Sequence, residues 1–553
     1  MPISLAPIAP PDTGSTLRPH RRAYLVGGGI ASMAAAAIMI RDGDMLGQDI
    51  SIIEQLDRLG GSLDGAGSPE GGYVLRGGRM FESKYVCTYE LFASIPTLDH
   101  SRTVTDEILT WNETIHTSSK SRLFRNGQRQ TAPKFGLSER HILTIERLAI
   151  EPEHMLGRSR IADQFDPSFF QTDFWFMWCT TFAFQPWHSA VEFKRYLVRF
   201  SHMVDGFERL QGIMRTVYNQ YDSLVRPLEA WLVERGVVFE MNSTVIGIEF
   251  ANNHRDLVPT RIDCLKAGSP RSIPVGLNDL VLITLGSMTE ASSLGTMDRP
   301  PVAADSSTNG SWGLWEKIAL DRPAFGRPSV FADHVDQSKW VSFTTTLHDA
   351  TFLTLVRDRT GNVPGEGGLI TFPDSGWLAS IVIPYQPHFI GQPKDVSVFW
   401  GYGLAVDKPG DFVKKPMSRC SGREIMTEIL GHLAIKAESD AILSSCICVP
   451  CMMPFITSQF MPREAGDRPA VVPAGTRNLA FIGQFCEMPD DVVFTVEYSI
   501  RSAQTAVNAL LKLDRPPPPV YKGSHDPRVL YKAFFALHDL RDPLAMAPFG
   551  TTA

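Results

Sequence analysis

Several things are scarce in this sequence. It holds no run of 18 uncharged apolar residues, which excludes a helix built to cross a bilayer. Positive charge is not in excess: 53 Lys and Arg stand against 60 Asp and Glu, a net charge of −7. No basic field of that kind draws a chain to nucleic acid. Cysteine is sparse, eight in 553 residues. No secretory leader is legible, so reduced thiols in a cytoplasmic setting are expected. Cys446, Cys448 and Cys451 cluster, but no fourth ligand stands near them. Buried apolar thiols are therefore expected there, not zinc. No internal repeat is visible.

What is present suits a globular protein. The chain is 43% hydrophobic and 20% charged, enough for roughly two to four domains. Residues 1–20, rich in Pro, Ser and Thr, read as a flexible tail. "RRAYLVGGGIASMAAAAIMIRDG" follows: a buried strand from Ala23 to Val26, a glycine turn, then a small-residue helix from about Ile30 to Arg41. "DISIIEQ" is a second strand ending at Glu54. Strand, helix and strand make one βαβ unit of a parallel sheet.

Gly27, Gly29 and Ser32 stand at the three glycine positions of G-x-G-x-x-G. The first allows a tight turn, the second lets the backbone approach a pyrophosphate, and the third needs only a small residue. Gly28, Ile30 and Ala31 complete the turn, and Glu54 with Gln55 ends the next strand. A carboxylate there accepts from ribose hydroxyls and repels a 2′-phosphate. Arg58, Gly60, Gly61 and Ser62 form a second glycine turn beside the same pyrophosphate. This "E…R-x-G-G" pairing resembles the glutathione-reductase-like flavoproteins, which implies FAD in preference to NAD. Those proteins return late in the chain to cover the flavin; "TLGS" with Gly286 and "NLAFIGQF" with Gly483 resemble those returns. Gln484 stands where such flavoproteins have Asp.

Longer strings carry a closer likeness. "RGGRMFESKYVCTYELFASIPTL", "FQPWHSAVEFKRYLVRF", "YNQYDS" and "GDRPAVVPAGTRNLAFIGQFCEMPDDVVFTVEYS" resemble the oleate hydratases, also called myosin-cross-reactive antigens, over roughly residues 21–512. The resemblance implies an FAD enzyme that hydrates the cis-9 double bond of an unsaturated fatty acid, oleate to 10-hydroxystearate, with no net redox change. The implied fold is α/β: a glutathione-reductase-like, Rossmann-type FAD-binding domain with a discontinuous substrate domain and a helical lid region. Residues 21–95, 205–295 and 470–512 are assigned to FAD, 96–204 to a helical, aromatic-rich substrate region, and 296–469 to substrate binding. Residues 513–553 form a linker and helix.

Tyr196 matches the family's proton donor; the plain alternative is a core tyrosine with a satisfied hydroxyl. Of its neighbours Arg195 and Arg199, only some share its helix face. Gln220, Thr457 and Gln459 fall near positions that hold the substrate carboxylate. His188 is read as structural. Arg76, Gly77, Gly78 and Arg79, with Phe494 and Thr495, are expected against the flavin, Arg79 meeting its pyrophosphate or the substrate carboxylate. Where the family usually reads R-G-G-R-E-M-E, this chain reads "RGGRMFE". The water-orienting acid is thus Met80 here, and Glu82 is its expected substitute, two residues on and on the same side of an extended segment.

The aromatic stretch 169–189 is expected to line a tunnel or to be plain core. A redox flavoenzyme of amine-oxidase or desaturase type, and a non-catalytic lipid-binding flavoprotein, remain alternatives. A monomer or homodimer is expected. Leu530, Phe534, Leu537 and Leu540 make one helical stripe, which packs on its own protein or touches a membrane peripherally.

Overall fold

The computed structural model describes residues 21–540 except 79, 131–132, 253–256 and 303–309. The expected N-terminal tail and Arg79 therefore lie outside the described residues. The first strand runs Ala23–Val26, the first helix Ile30–Arg41 and the second strand Ile50–Ile53, as the sequence predicts. Ten residues of that helix are buried. Its alanines permit this, because they let the helix lie between the sheet and the long helix Val496–Leu511.

Five parallel strands form the central sheet. Numbered along the chain, Ala23–Val26, Ile50–Ile53, Val238–Glu240, Leu280–Thr284 and Leu479–Ile482 are ordered 3-2-1-4-5. The order reverses between the first and fourth strands. That reversal opens a crevice at their carboxyl ends, the standard ligand position of a doubly wound sheet. A three-stranded antiparallel sheet covers Ser243–Pro274.

The second large layer is an eight-stranded sheet centred on Trp340–Leu347, all eight residues of which are buried. The hairpin Gly65–Ser68 and Gly72–Leu75 docks on it: Tyr73 and Leu75 donate their N–H groups to the Thr346 and Thr344 hydroxyls, at 2.8 and 2.9 Å. Two buried threonines thus satisfy an otherwise unpaired strand edge and fix where the next residues, 76–82, begin.

The segment 96–204 is largely helical, but it also holds the hairpin Leu123–Arg125 and Gln128–Gln130, which extends the eight-stranded sheet. Asn126-Gly127 turns it with positive φ at both residues, 49° and 71°, the geometry a two-residue hairpin favours. The helical expectation is corrected there. Helix Asp173–Phe182 carries the centre of the aromatic stretch, and helix Ala190–Arg199 follows it. Trp178 is central: its ring lies 5.4 Å from Phe174, 4.7 Å from Phe182 and 5.5 Å from Phe207. All eight cysteines are buried and unpaired. The C-terminal helix Pro527–Leu537 buries no residue, and Leu530, Phe534 and Leu540 stay about half exposed.

Trp178 tests this packing. Its indole N–H has no partner, so its contribution is ring contact alone. Trp178→Ala should destabilise by ~3–5 kcal/mol in urea unfolding, and Trp178→Phe by much less. Equal losses would show that the N–H matters.

Candidate functional site

Three adjoining cavities make up the site. The first is a groove of about 1360 Å³ over the crevice of the central sheet. Gly27 has φ +96°, and a β-carbon there would stand 3.2 Å from Thr284 on the neighbouring strand. Gly29 opens the first helix and has nothing within 4 Å of a built β-carbon, so its backbone faces open space. Gly60 and Gly61, both of positive φ, close the second turn, with the Gly60 N–H donating to Gly28 O at 2.9 Å. The Glu54 carboxylate accepts from Gly28 N–H at 2.5 Å and Leu56 N–H at 2.8 Å. Burial raises its pKa, partly offset by those N–H groups. Gln55, Ile30, Ala31, Ser62, Gly286 and Gly483 line the same groove.

Arg76 lines the groove too. Its Nε donates to Asp64 at 2.8 Å, while its buried Nη1 has no partner. An exposed helix N-terminus, two glycine turns, a carboxylate and an unpartnered guanidinium N–H fit a dinucleotide. Two expected residues are turned elsewhere. Arg58 donates to Gly65 O at 3.2 Å and covers the Tyr221 ring. Ser32 is buried beneath the turn, 3.3 Å from the Thr284 hydroxyl. Gln484 is spent on bracing: it donates to Thr495 O and Ser499 Oγ and accepts from Phe494 N–H.

The second cavity, of about 700 Å³, begins where Arg76 leaves the groove. Gly77, Gly78, Met80 and Glu82 line it with Tyr85, Tyr196, Trp340, Trp400, Phe494 and Thr495. Phe494 and Thr495 thus face this cavity and not the groove. Phe81 is fully buried, and its backbone pairs with Met214. Met80, Phe81 and Glu82 all line this cavity. Tyr196 is buried among Phe182, Phe184, Phe200 and Phe460, with centroids at 4.9 to 5.8 Å. Its hydroxyl donates to Val493 O at 2.6 Å. Of the aromatic stretch, Thr180 to Ala183 reach the cavity.

Glu82 is buried and tightly held. Arg199 Nη2 lies 2.8 Å from one carboxylate oxygen; His202 Nε2 at 3.3 Å and Lys84 N–H at 2.6 Å reach the other. Burial pushes its pKa up, but His202 and the Arg199 charge outweigh it and the net shift is down. Arg195 turns away, to Glu153 and Glu487. His188 is buried and accepts from Gln185 N–H; burial pulls it down to about 3, so it stays a neutral structural residue.

The third cavity, of about 550 Å³, shares Gly78 and Trp400 with the second. Arg215, Gln220, Tyr385, His388 and Asn112 line it. The buried Nε and Nη2 of Arg215 have no hydrogen-bond partner. Among the described residues no carboxylate pairs with this guanidinium, and burial alone lowers its pKa to about 10. Beside it, desolvation and the Arg215 charge lower His388 to about 3. Gln220 lines this cavity, but Thr457 and Gln459 do not. Thr457 donates to Ser338 O and Gln459 to Ile456 O, and neither lines these three cavities. Arg215 and His388, 173 positions apart in the sequence, carry no joint motif and were not legible before folding.

A family model described as "MCRA family" matches residues 20–508. An "Oleate hydratase" of Streptococcus pyogenes serotype M49 (strain NZ131) is 38% identical over 94% of this chain and 90% of its own. A "Linoleate hydratase" of Lactiplantibacillus plantarum is 31% identical over 89% of this chain and 94% of its own. Among solved structures, cyclohexylamine oxidase from Brevibacterium oxydans IH-35A superposes with a TM-score of 0.51 at 12% identity, covering 89% of this chain and 99% of that one. That last likeness shows the fold alone.

The Glu82 cluster sets a pH dependence. Its folded pKa lies below the unfolded value of about 4.3, so the ionised carboxylate contributes stability above that pH and loses it as pH falls through the folded pKa. Glu82→Gln should flatten the decline of Tm below about pH 4.3, measured by thermal melts across pH. An unchanged slope would remove Glu82 from acid destabilisation.

Proposed function

The chain belongs to the MCRA family, and from that premise we propose that it adds water across a carbon–carbon double bond of an unsaturated fatty acid. The substrate of this reading is the cis-9 bond of oleate, giving 10-hydroxystearate. One observation carries it: an aromatic cavity holding a tyrosine and a carboxylate adjoins a pocket whose buried guanidinium has no acid partner. A fatty acid has the matching parts, an apolar chain and one terminal carboxylate. Leaving Arg215 unpaired is costly, and a substrate carboxylate beside Gln220 and His388 supplies the missing charge.

The chemistry follows from the cavity wall. Tyr196 delivers a proton to one alkene carbon, the water oxygen bonds the other, and the proton that water releases returns to the tyrosine. The sum is one added water and no change in electrons. The rings of Phe182, Phe200, Trp340 and Trp400 present π faces to the positive charge that develops on carbon. Their packing keeps bulk water from trapping it.

Glu82, paired with Arg199, is the carboxylate on the loop that orients the attacking water. Met80 cannot do so, having no acceptor beyond a thioether. FAD is the cofactor of this reading: Gly27 to Ala31, Glu54, Gly60, Gly61 and Arg76 would hold it. Bound there, it supplies a planar polar ring system without being asked to transfer electrons overall. The half-exposed stripe of Leu530, Phe534 and Leu540 supports a lipid-facing C-terminal helix.

Incubation of the FAD-loaded protein with oleate should yield a product heavier by one water, read by mass spectrometry. Tyr196→Phe keeps the ring and should cost ~10²–10⁴-fold in turnover. Arg215→Met should raise KM roughly 10–100-fold, the loss of one charge-assisted contact, with a smaller effect on kcat. Met80 favours one second reading, a lipid-binding flavoprotein without turnover. Oleate that binds but returns unchanged would select that reading and end the first.

A further inference from the structure

Away from these cavities, three side chains converge on one point. Glu428 and His432 stand four residues apart on the helix Gly422–His432 and so share a face. Asp411 comes from the preceding loop. His432 Nε2 lies 3.3 Å from Glu428 Oε1 and 3.5 Å from Asp411 Oδ2. Only 7% of His432 is exposed, and Nε2 forms no hydrogen bond. Its ring is fixed by Phe372, stacked at 5.3 Å, and by Phe412, edge-on at 5.2 Å. The nitrogen is therefore aimed between two carboxylates by packing, not drawn there by a bond.

Both carboxylates are oriented by backbone. Glu428, fully buried, accepts from the N–H groups of Asp411, Phe412 and Val413 at 2.5, 2.9 and 2.8 Å. Asp411 Oδ2 accepts from Gly376 N–H at 2.7 Å. Such outer contacts hold metal ligands in place. The three ligand atoms lie within 4.8 Å of one another. Tetrahedral zinc with bonds of about 2.0–2.1 Å separates neighbouring ligand atoms by about 3.3–3.4 Å, close to the two histidine distances. One imidazole nitrogen with two carboxylates suits zinc or a neighbouring first-row ion, and suits the all-oxygen shells of calcium and magnesium poorly.

We propose that Asp411, Glu428 and His432 bind one divalent transition-metal ion, zinc foremost, with water completing the shell on the exposed side of Asp411. The ion ties the 411–413 loop to its helix. The effect reaches the eight-stranded sheet, since His432 rests on Phe372 and the adjacent Thr371 hydroxyl donates to Thr180 at the second cavity. This inference does not depend on the hydration reading.

The test uses the full chain, stripped with EDTA and titrated with zinc chloride by calorimetry and thermal melting. One zinc per chain should bind in the micromolar range or tighter. Tm should rise by at least about 2 °C when zinc exceeds Kd a hundredfold. Asp411→Asn keeps the shape and an oxygen for the Gly376 N–H; it should weaken binding at least tenfold and abolish the rise. His432→Gln should do the same. The idea fails if the wild-type chain shows no saturable binding at micromolar zinc, the result of a plain histidine–carboxylate ion pair. It fails equally if both variants bind zinc as the wild type does, since a cysteine would then be the ligand.

Discussion

Gly78 and the Trp400 ring are in contact so close that a β-carbon on the glycine would stand 2.6 Å from the ring. Much of the site depends on this approach. It lets the backbone after the docked hairpin pass between sheet and groove without a side chain in the way. Arg76 then remains on the cofactor side, while Met80 and Glu82 emerge on the other. The same contact is the wall shared by the second and third cavities. One missing side chain thus sets the geometry of three chambers, and the hydroxyls of Thr344 and Thr346 fix the height at which the loop starts.

Charge is handled in two ways around that wall. The Tyr196 helix is anchored by buried pairs: Glu192 meets Arg463 and Arg468, each at 2.9 Å, and Arg199 meets Glu82. Desolvation would raise the Glu192 pKa, but the arginines bring it down to about 2. Such networks cost much if one member is lost, so they hold the helix in register. Arg215 is the contrast, a less deeply set guanidinium whose buried Nε and Nη2 face no acid among the described residues. Arg122, fully buried nearby, also lacks one, but it donates to Leu369 O, Met177 O and the Thr181 hydroxyl, whereas Nε and Nη2 of Arg215 have no hydrogen-bond partner.

How much of this was legible beforehand follows from distance along the sequence. The glycine turn, its strand and helix, and Glu54 are encoded within about thirty residues, and local chemistry fixed them. The nearness of Met80 and Glu82 was likewise local. The Asn126-Gly127 hairpin was also a local signal, overshadowed by the helical character of its surroundings. Arg58 was expected at the groove, but its side chain had a nearer partner in Gly65 O. Thr457 and Gln459 were assigned by resemblance, and folding committed them to their own loops. Arg215 and His388 meet only through the tertiary structure, which no spacing announces.

The exchange at position 80 now has a physical setting. A carboxylate added there would enter a cavity that already holds one acid, and Glu82 is paired with Arg199, with His202 Nε2 3.3 Å away. Two acids lining one cavity repel each other unless both are paired. With methionine at 80 the cavity keeps a single carboxylate, held by fixed partners and low in pKa. Such a group is a weak base but a well-oriented hydrogen-bond acceptor. It suits holding a water in line with a developing cation, where attack follows protonation and strong deprotonation is not required. In the proposed hydration the burden of starting the reaction would then fall on Tyr196, which lies between the rings of Phe182 and Phe200.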